Sequence, residues 1–177
     1  AIINFRLESL QDIQNISQVV NDSTAQEMLL NALKVSSQSE VFNNNQTLSL
    51  VQDILEDNMD ILSNSTNLSD SEAQAVAEIL SNMMSYASLY DCAGNTNFTI
   101  GLRNKTNLYL SKIGQSAFAN LLPGENYSVI TTDNFNILSQ KLKLCNLTSQ
   151  TYSMGDSSPD ITFDFKNKKD AADCSKD

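Results

Sequence analysis

The chain has 177 residues, with 21 Asp plus Glu against 11 Lys plus Arg, a formal net charge of −10 and a pI near 4.3. That length suffices for one domain with a proper core, or for a helical part plus a smaller second lobe, and the acidic balance excludes nucleic acid as a partner because phosphate binding needs clustered Lys and Arg. There is no His and no Trp, which removes the commonest general base, the usual activator of Ser or Cys nucleophiles and the commonest metal ligand, so a non-enzymatic role is expected.

The first half reads as helices. Leu7, Leu10, Ile13, Ser17 and Val20 recur at steps of three or four, which puts them on one stripe of a helix and sends Asn15 to the far side. Ser23 with Gln26, and Thr24 with Glu27, have the spacing of a capping box, and Met28, Leu29, Ala32 and Leu33 supply the apolar face of a second helix. A third starts near Thr47, with Leu50, Val51, Ile54, Leu55, Ile61 and Leu62 inward and Asp53, Glu56, Asp57 and Asp60 on the opposite, solvated face. Ser69 and Glu72 form a further capping box before Ala73, Val76, Ala77, Leu80, Met83, Met84 and Ala87. Met83 and Met84, at helical spacing, read as core filler.

The pattern changes after residue 94. Residues 97–102 alternate like a short strand, whereas Leu110, Ile113, Ala117, Phe118 and Leu121 predict one more helix, ending before Pro123-Gly124. From Tyr127 onward, apolar pairs at Val129 and Ile130, Phe135 and Ile137, Leu142 and Leu144, Tyr152 and Met154, then Ile161, Phe163 and Phe165 read as short strands separated by polar turns. The expected class is α+β, an N-terminal helical bundle followed by a small antiparallel β lobe. The expected division is 1–94 helical, 95–165 helix plus strands, and 166–177 a polar tail.

Nine Asn-X-Ser/Thr triplets lie along this chain, at Asn15, Asn21, Asn45, Asn64, Asn67, Asn97, Asn104, Asn126 and Asn146. With 21 Asn and 34 Ser plus Thr, chance adjacency gives about four. Turn and cap chemistry also enriches Asn and Ser, but it gives no reason to place a hydroxyl two residues after the Asn. The triplets therefore read as N-glycosylation acceptors on a protein of the secretory pathway, extracellular or at a cell surface. Asn45, Asn64 and Asn67 are expected in loops between helices. Cys92, Cys145 and Cys174 are an odd set. In an oxidising compartment that suggests one disulfide, Cys92 with Cys145 among the three pairings, leaving Cys174 for an intermolecular bond.

Other chemistry is weaker. No apolar run exceeds three residues, so no membrane span or signal-peptide core is expected, and the start at Ala1 rather than Met leads to the expectation of a processed product or a piece of something longer. Asp156, Asp160 and Asp164 offer hard oxygen ligands for calcium, but without the Asp-x-Asp-x-Asp-Gly order they read as a polar turn. The five glycines are scattered singly, so no phosphate loop forms and no cofactor is expected beyond the glycans.

The stretch AFANLLPGENYSVITTDNFNILSQKLKLCNLTSQTYS, residues 117–153, resembles a segment of polycystin-1 and sperm-receptor (REJ) type ectodomains. In those proteins a helix ends in a Leu-Pro-Gly turn and a Thr-x-Asn-Phe-x-Ile strand enters a small β lobe. The preceding helices resemble the helical subdomain of the GAIN fold. The likeness is carried most specifically by residues 121–150. It implies a cell-surface module for contact, mechanical linkage or adhesion. GAIN domains end in a Cys- and Trp-containing segment with a His-Leu-Thr/Ser cleavage site, and this chain has neither His nor Trp, so no self-cleaving residue carries over. The sequence thus predicts a non-catalytic, heavily N-glycosylated structural or adhesive unit of a coat, filament or large ectodomain, whose partners are copies of itself or other extracellular proteins. The alternative is a ligand-binding portion of a polycystin-like receptor.

Overall fold

The structure, a computed structural model, describes residues 2–19, 23–38, 45–64, 68–91, 96–142, 150–152 and 161–163. Among these described residues five helices come first: α1 (Ile2–Ser17), α2 (Ser23–Ser36), α3 (Asn45–Asn64), α4 (Asp70–Asp91) and α5 (Thr96–Asn120). Four short strands follow, β1 (Ser128–Thr131), β2 (Asn136–Ser139), β3 (Gln150–Tyr152) and β4 (Ile161–Phe163), paired antiparallel as β1–β2 and β3–β4. The expected α+β class, helices before strands, is what the chain adopts.

α4 is the central element, packed on α2 and α5. Its start is fixed by the predicted box. The Ser69 backbone N–H donates to Glu72 Oε2 at 2.7 Å, and the Glu72 N–H donates back to Ser69 Oγ at 3.3 Å, satisfying two donors that the first turn leaves open. Asp70 and Glu72 in that turn also face the positive end of the helix dipole. Ala73, Ala75, Val76, Ala77, Ile79, Leu80, Met83, Tyr86 and Ala87 are all buried. Small alanines let neighbouring helices approach closely, while Ile79, Leu80 and Met83 each supply roughly 1.5–3 kcal/mol of burial.

The other helices wrap this core. α1 packs on α2 and α3, and Lys105 of α5 ion pairs with Glu56 of α3. Leu10 on α1, Leu30 and Leu33 on α2, and Leu48, Val51, Ile54 and Leu55 on α3 are fully buried. The α2 face differs from expectation, because Met28 is 70% exposed and Ala32 is also exposed, while Leu30 is inward. The buried positions Gln26, Leu29, Leu30, Leu33 and Ser37 keep steps of three and four once polar residues are admitted.

A larger departure concerns residues 97–102, which are helical and belong to α5. Alternation there is short and local, whereas Thr99, Leu102, Thr106, Tyr109, Ile113 and Ala117 are buried at helical steps over five turns. Two of those six are threonines, so the helical stripe was invisible to a count of apolar residues. One continuous core cluster joins α1–α4 with Leu102, Tyr109 and Ile113 of α5 and Ile130 of β1, and so runs across the 94/95 boundary.

α5 ends at Asn120, and the turn at Pro123-Gly124 follows. Gly124 has φ 89°, a left-handed conformation that a side chain would strain, and its N–H donates to the Lys141 carbonyl at 2.8 Å. That bond brings the start of the β1–β2 hairpin beside its end. Register pairs Ser128 with Ser139 and Thr131 with Asn136. In the hairpin loop, Asn134 Nδ2 reaches the Ser81 carbonyl at 2.7 Å, Ser81 Oγ at 2.9 Å and Ser85 Oγ at 2.7 Å, which fastens the tip to α4. β3 carries Tyr152, buried and packed edge-on to Tyr127 with ring centroids 5.3 Å apart.

Candidate functional site: the glycan-acceptor faces

Asn15, Asn104 and Asn126 are exposed. The first two stand on α1 and α5, and the third lies just before β1. Asn45 and Asn64 are the first and last residues of α3 rather than loop residues, and Asn97 is in the first turn of α5 rather than opening a strand. In each case the helix extends further than apolar periodicity alone delimits. Asn21, Asn67 and Asn146 lie outside the described residues, as do Cys92, Cys145, Cys174, Asp156, Asp160 and Asp164.

The hydroxyl partners of these asparagines show a pattern that sequence reading missed. In an α-helix, residues i and i+2 point about 200° apart, so an outward Asn forces the required Ser or Thr inward. Ser17 and Thr106 are buried accordingly beneath exposed Asn15 and Asn104, and Thr47 and Thr99 are buried as well. Of the six triplet hydroxyl residues whose burial is described, four are buried, whereas only three of the fifteen other Ser and Thr so described are. Burying a hydroxyl carries a penalty unless it finds a partner. Ser17 Oγ donates to the Gln14 carbonyl at 2.7 Å. Thr106 Oγ1 is buried with no hydrogen-bond partner among the described residues, although valine would fill the same volume with no polar atom. The sequence does carry a signal for it: Thr99 and Thr106 continue the stripe of Leu102, Tyr109 and Ile113.

Comparison with known proteins finds no family model, no curated protein and no solved structure that matches this chain. What the surface can do is therefore read from its own groups.

Around Asn104 the surface is charged and anchored. Lys105, the middle residue of that triplet, pairs with Glu56, and its hydrogen bond holds the Glu56 carboxyl below its usual range although burial opposes this. Burial and the neighbouring Glu56 charge push Asp53 the other way. On α2 and α4, Lys34 Nζ lies 2.7 Å from Glu78 Oε2. Burial raises the Glu78 pKa, but hydrogen bonds from Lys34 and Gln74 outweigh it and leave it lowered. The predicted carboxylate face of α3 is solvated at Asp53 and Asp57. Among the described residues no three His, Cys, Asp or Glu side chains gather as a metal would need, and no helix is long and apolar enough to cross a membrane.

Proposed function

We propose that this chain is a non-catalytic, densely N-glycosylated extracellular module, a structural or adhesive unit of a cell-surface coat, filament or large ectodomain. The observation that carries the reading is the inward hydroxyl of the helical triplets, above all the unpartnered Thr106 beneath an exposed Asn104. A fold under selection for stability alone gains nothing from that oxygen, whereas glycan transfer requires it two residues after the acceptor. Exposure of Asn15, Asn104 and Asn126 supports the same reading, since attached sugars are bulky and confined to surfaces. Sugars on α1, α5 and the approach to β1 hydrate the faces away from the core and leave the acidic surface to keep neighbouring copies apart or to meet cations.

The test is intact mass of the protein from its native source, or from a eukaryotic secretory host, before and after enzymatic removal of N-glycans. A loss equal to several sugar chains, with Asn15, Asn104 and Asn126 among the converted sites, is expected. An unchanged mass refutes the proposal.

A second reading, the ligand-binding portion of a polycystin-like receptor, is favoured by the way α5 hands over through the Pro123-Gly124 turn to an antiparallel hairpin. Such a receptor needs a membrane span further along the same polypeptide. Sequencing of the full transcript separates the two.

A further inference from the structure

Beside Asn126 lies an open groove of about 490 Å³, between α5, β2 and β3. Its walls include Gln115 and Phe118 from α5, Leu138 from β2 with the adjoining Gln140, and Tyr152 from β3. That volume falls within the roughly 300–1,000 Å³ typical of small-ligand clefts. Phe118 is 49% exposed, with the Lys141 ammonium over its ring at 4.9 Å from the centroid, so the groove's aromatic wall is only partly covered. Aromatic faces for the C–H side of a sugar ring, with amide groups for its hydroxyls, form the mixed lining that carbohydrate contacts use.

Both sequence neighbours of Asn126 are tied to this groove. The Glu125 carbonyl accepts from Gln140 Nε2 at 3.5 Å, and the Tyr127 ring packs on Tyr152, whose hydroxyl in turn donates to Gln140 Oε1. Asn126, itself exposed, therefore lies in the chain between two residues that contact the groove's lining. A sugar chain attached there needs no free-ligand affinity to occupy the groove, because tethering gives it a high effective concentration.

We propose that the groove seats the inner sugars of the glycan on Asn126, making that glycan a fixed part of the surface. This inference rests on the glycosylation reading above and goes beyond it, since that reading needs only occupancy.

The experiment follows the rate at which an amide-cleaving N-glycosidase releases each glycan from the folded protein made in a eukaryotic secretory host, resolved by site with mass spectrometry. Release at Asn126 is expected to be about tenfold slower than at Asn104, as for a sugar seated roughly nine-tenths of the time. The difference should vanish on unfolding. Phe118→Ser and Gln115→Ala, both at exposed positions, should each bring Asn126 towards the Asn104 rate while circular dichroism stays unchanged. Equal rates at an occupied Asn126, or slow release that survives both substitutions, overturns the seat and leaves the glycoprotein reading standing. A bare Asn126 with other sites occupied also overturns it. A protein bare at every site removes both.

Discussion

Thr106→Val separates what the helix needs from what a glycan acceptor needs. The threonine is 3% exposed and its hydroxyl has no hydrogen-bond partner among the described residues. An unsatisfied buried donor or acceptor costs about 1–3 kcal/mol, and valine has the same shape and nearly the same helix propensity. Taking the lower part of that range, the substitution should stabilise by about 1–2 kcal/mol. For a chain of this size that raises the melting temperature by about 2–8 °C. The assay is thermal unfolding of unglycosylated protein, so that loss of the Asn104 sugar does not enter the comparison. The same variant expressed in a secretory host should lose the glycan at Asn104 alone. Thr106→Ser supplies the converse, keeping the acceptor triplet while removing a buried methyl worth about 0.8 kcal/mol. A Thr106→Val protein that melts at or below the parent's temperature would mean the hydroxyl is satisfied, and the argument from buried oxygen fails.

Further outcomes follow from other contacts. Ser69→Ala should destabilise by roughly 0.5–2 kcal/mol through loss of the α4 cap, whereas Ser69→Asp should keep most of that stability; both abolish the Asn67 triplet, so glycan and cap effects come apart in denaturant melts. Asn134→Ala removes the bonds that hold the hairpin tip to Ser81 and Ser85, and hydrogen exchange should become faster in 128–139 while amides in α4 near residues 76–83 keep their protection. Ile79→Ala opens a cavity in the centre of the core and should lower stability by about 2–5 kcal/mol in the same denaturant assay. Acid should weaken the fold: the Glu56 and Glu78 pKa values lie below the ordinary 4.5, so their contribution is complete above that pH and is lost as pH falls through the lowered values. Asp53, raised above 3.8, acts in the opposite sense. Because the Lys34–Glu78 pair is about a third exposed, its share is below about 1 kcal/mol, and Glu78→Gln should flatten the pH dependence below the ordinary 4.5 slightly, by no more than that amount.

Helix existence was legible wherever apolar residues carried the period, as in α3 and α4, and the Ser69–Glu72 box placed one boundary within a residue. Strand positions are legible in part: Val129 and Ile130, Ile137, Tyr152, and Ile161 and Phe163 each fall in a strand, whereas Phe135 precedes β2 and Leu142 lies beyond its end. The failures share one cause. A stripe of apolar residues alone turns Met28 and Ala32 inward on α2, whereas the buried Gln26 and Ser37 define its edges. Residues 97–102 read as a strand when Thr99 and Thr106 count as polar, although both threonines occupy the buried face of α5. Polar residues that face inward cannot be told from solvated ones by hydropathy, so any element whose core face is partly hydroxyl is misread at the sequence level. The candidate acceptors were legible as triplets, but the groove next to Asn126 was not, because it is assembled from α5, β2 and β3, which are distant in sequence.

That same failure is what gives the helical triplets their weight. Asn and Ser at a turn are explained by local backbone chemistry whatever the protein does, so a triplet in a loop discriminates poorly between a glycan acceptor and a cap. On a helix the two requirements oppose each other: the acceptor must face water, the hydroxyl must follow by two, and a period of 3.6 turns that hydroxyl into the core. Valine at position 106 would fill the same volume on α5 without desolvating an oxygen. The chain instead keeps Thr106 there. Any helical triplet with an exposed Asn turns its hydroxyl inward, as at Asn15 and Asn104, so the weight of the proposal falls on Thr106, whose buried oxygen has no hydrogen-bond partner among the described residues.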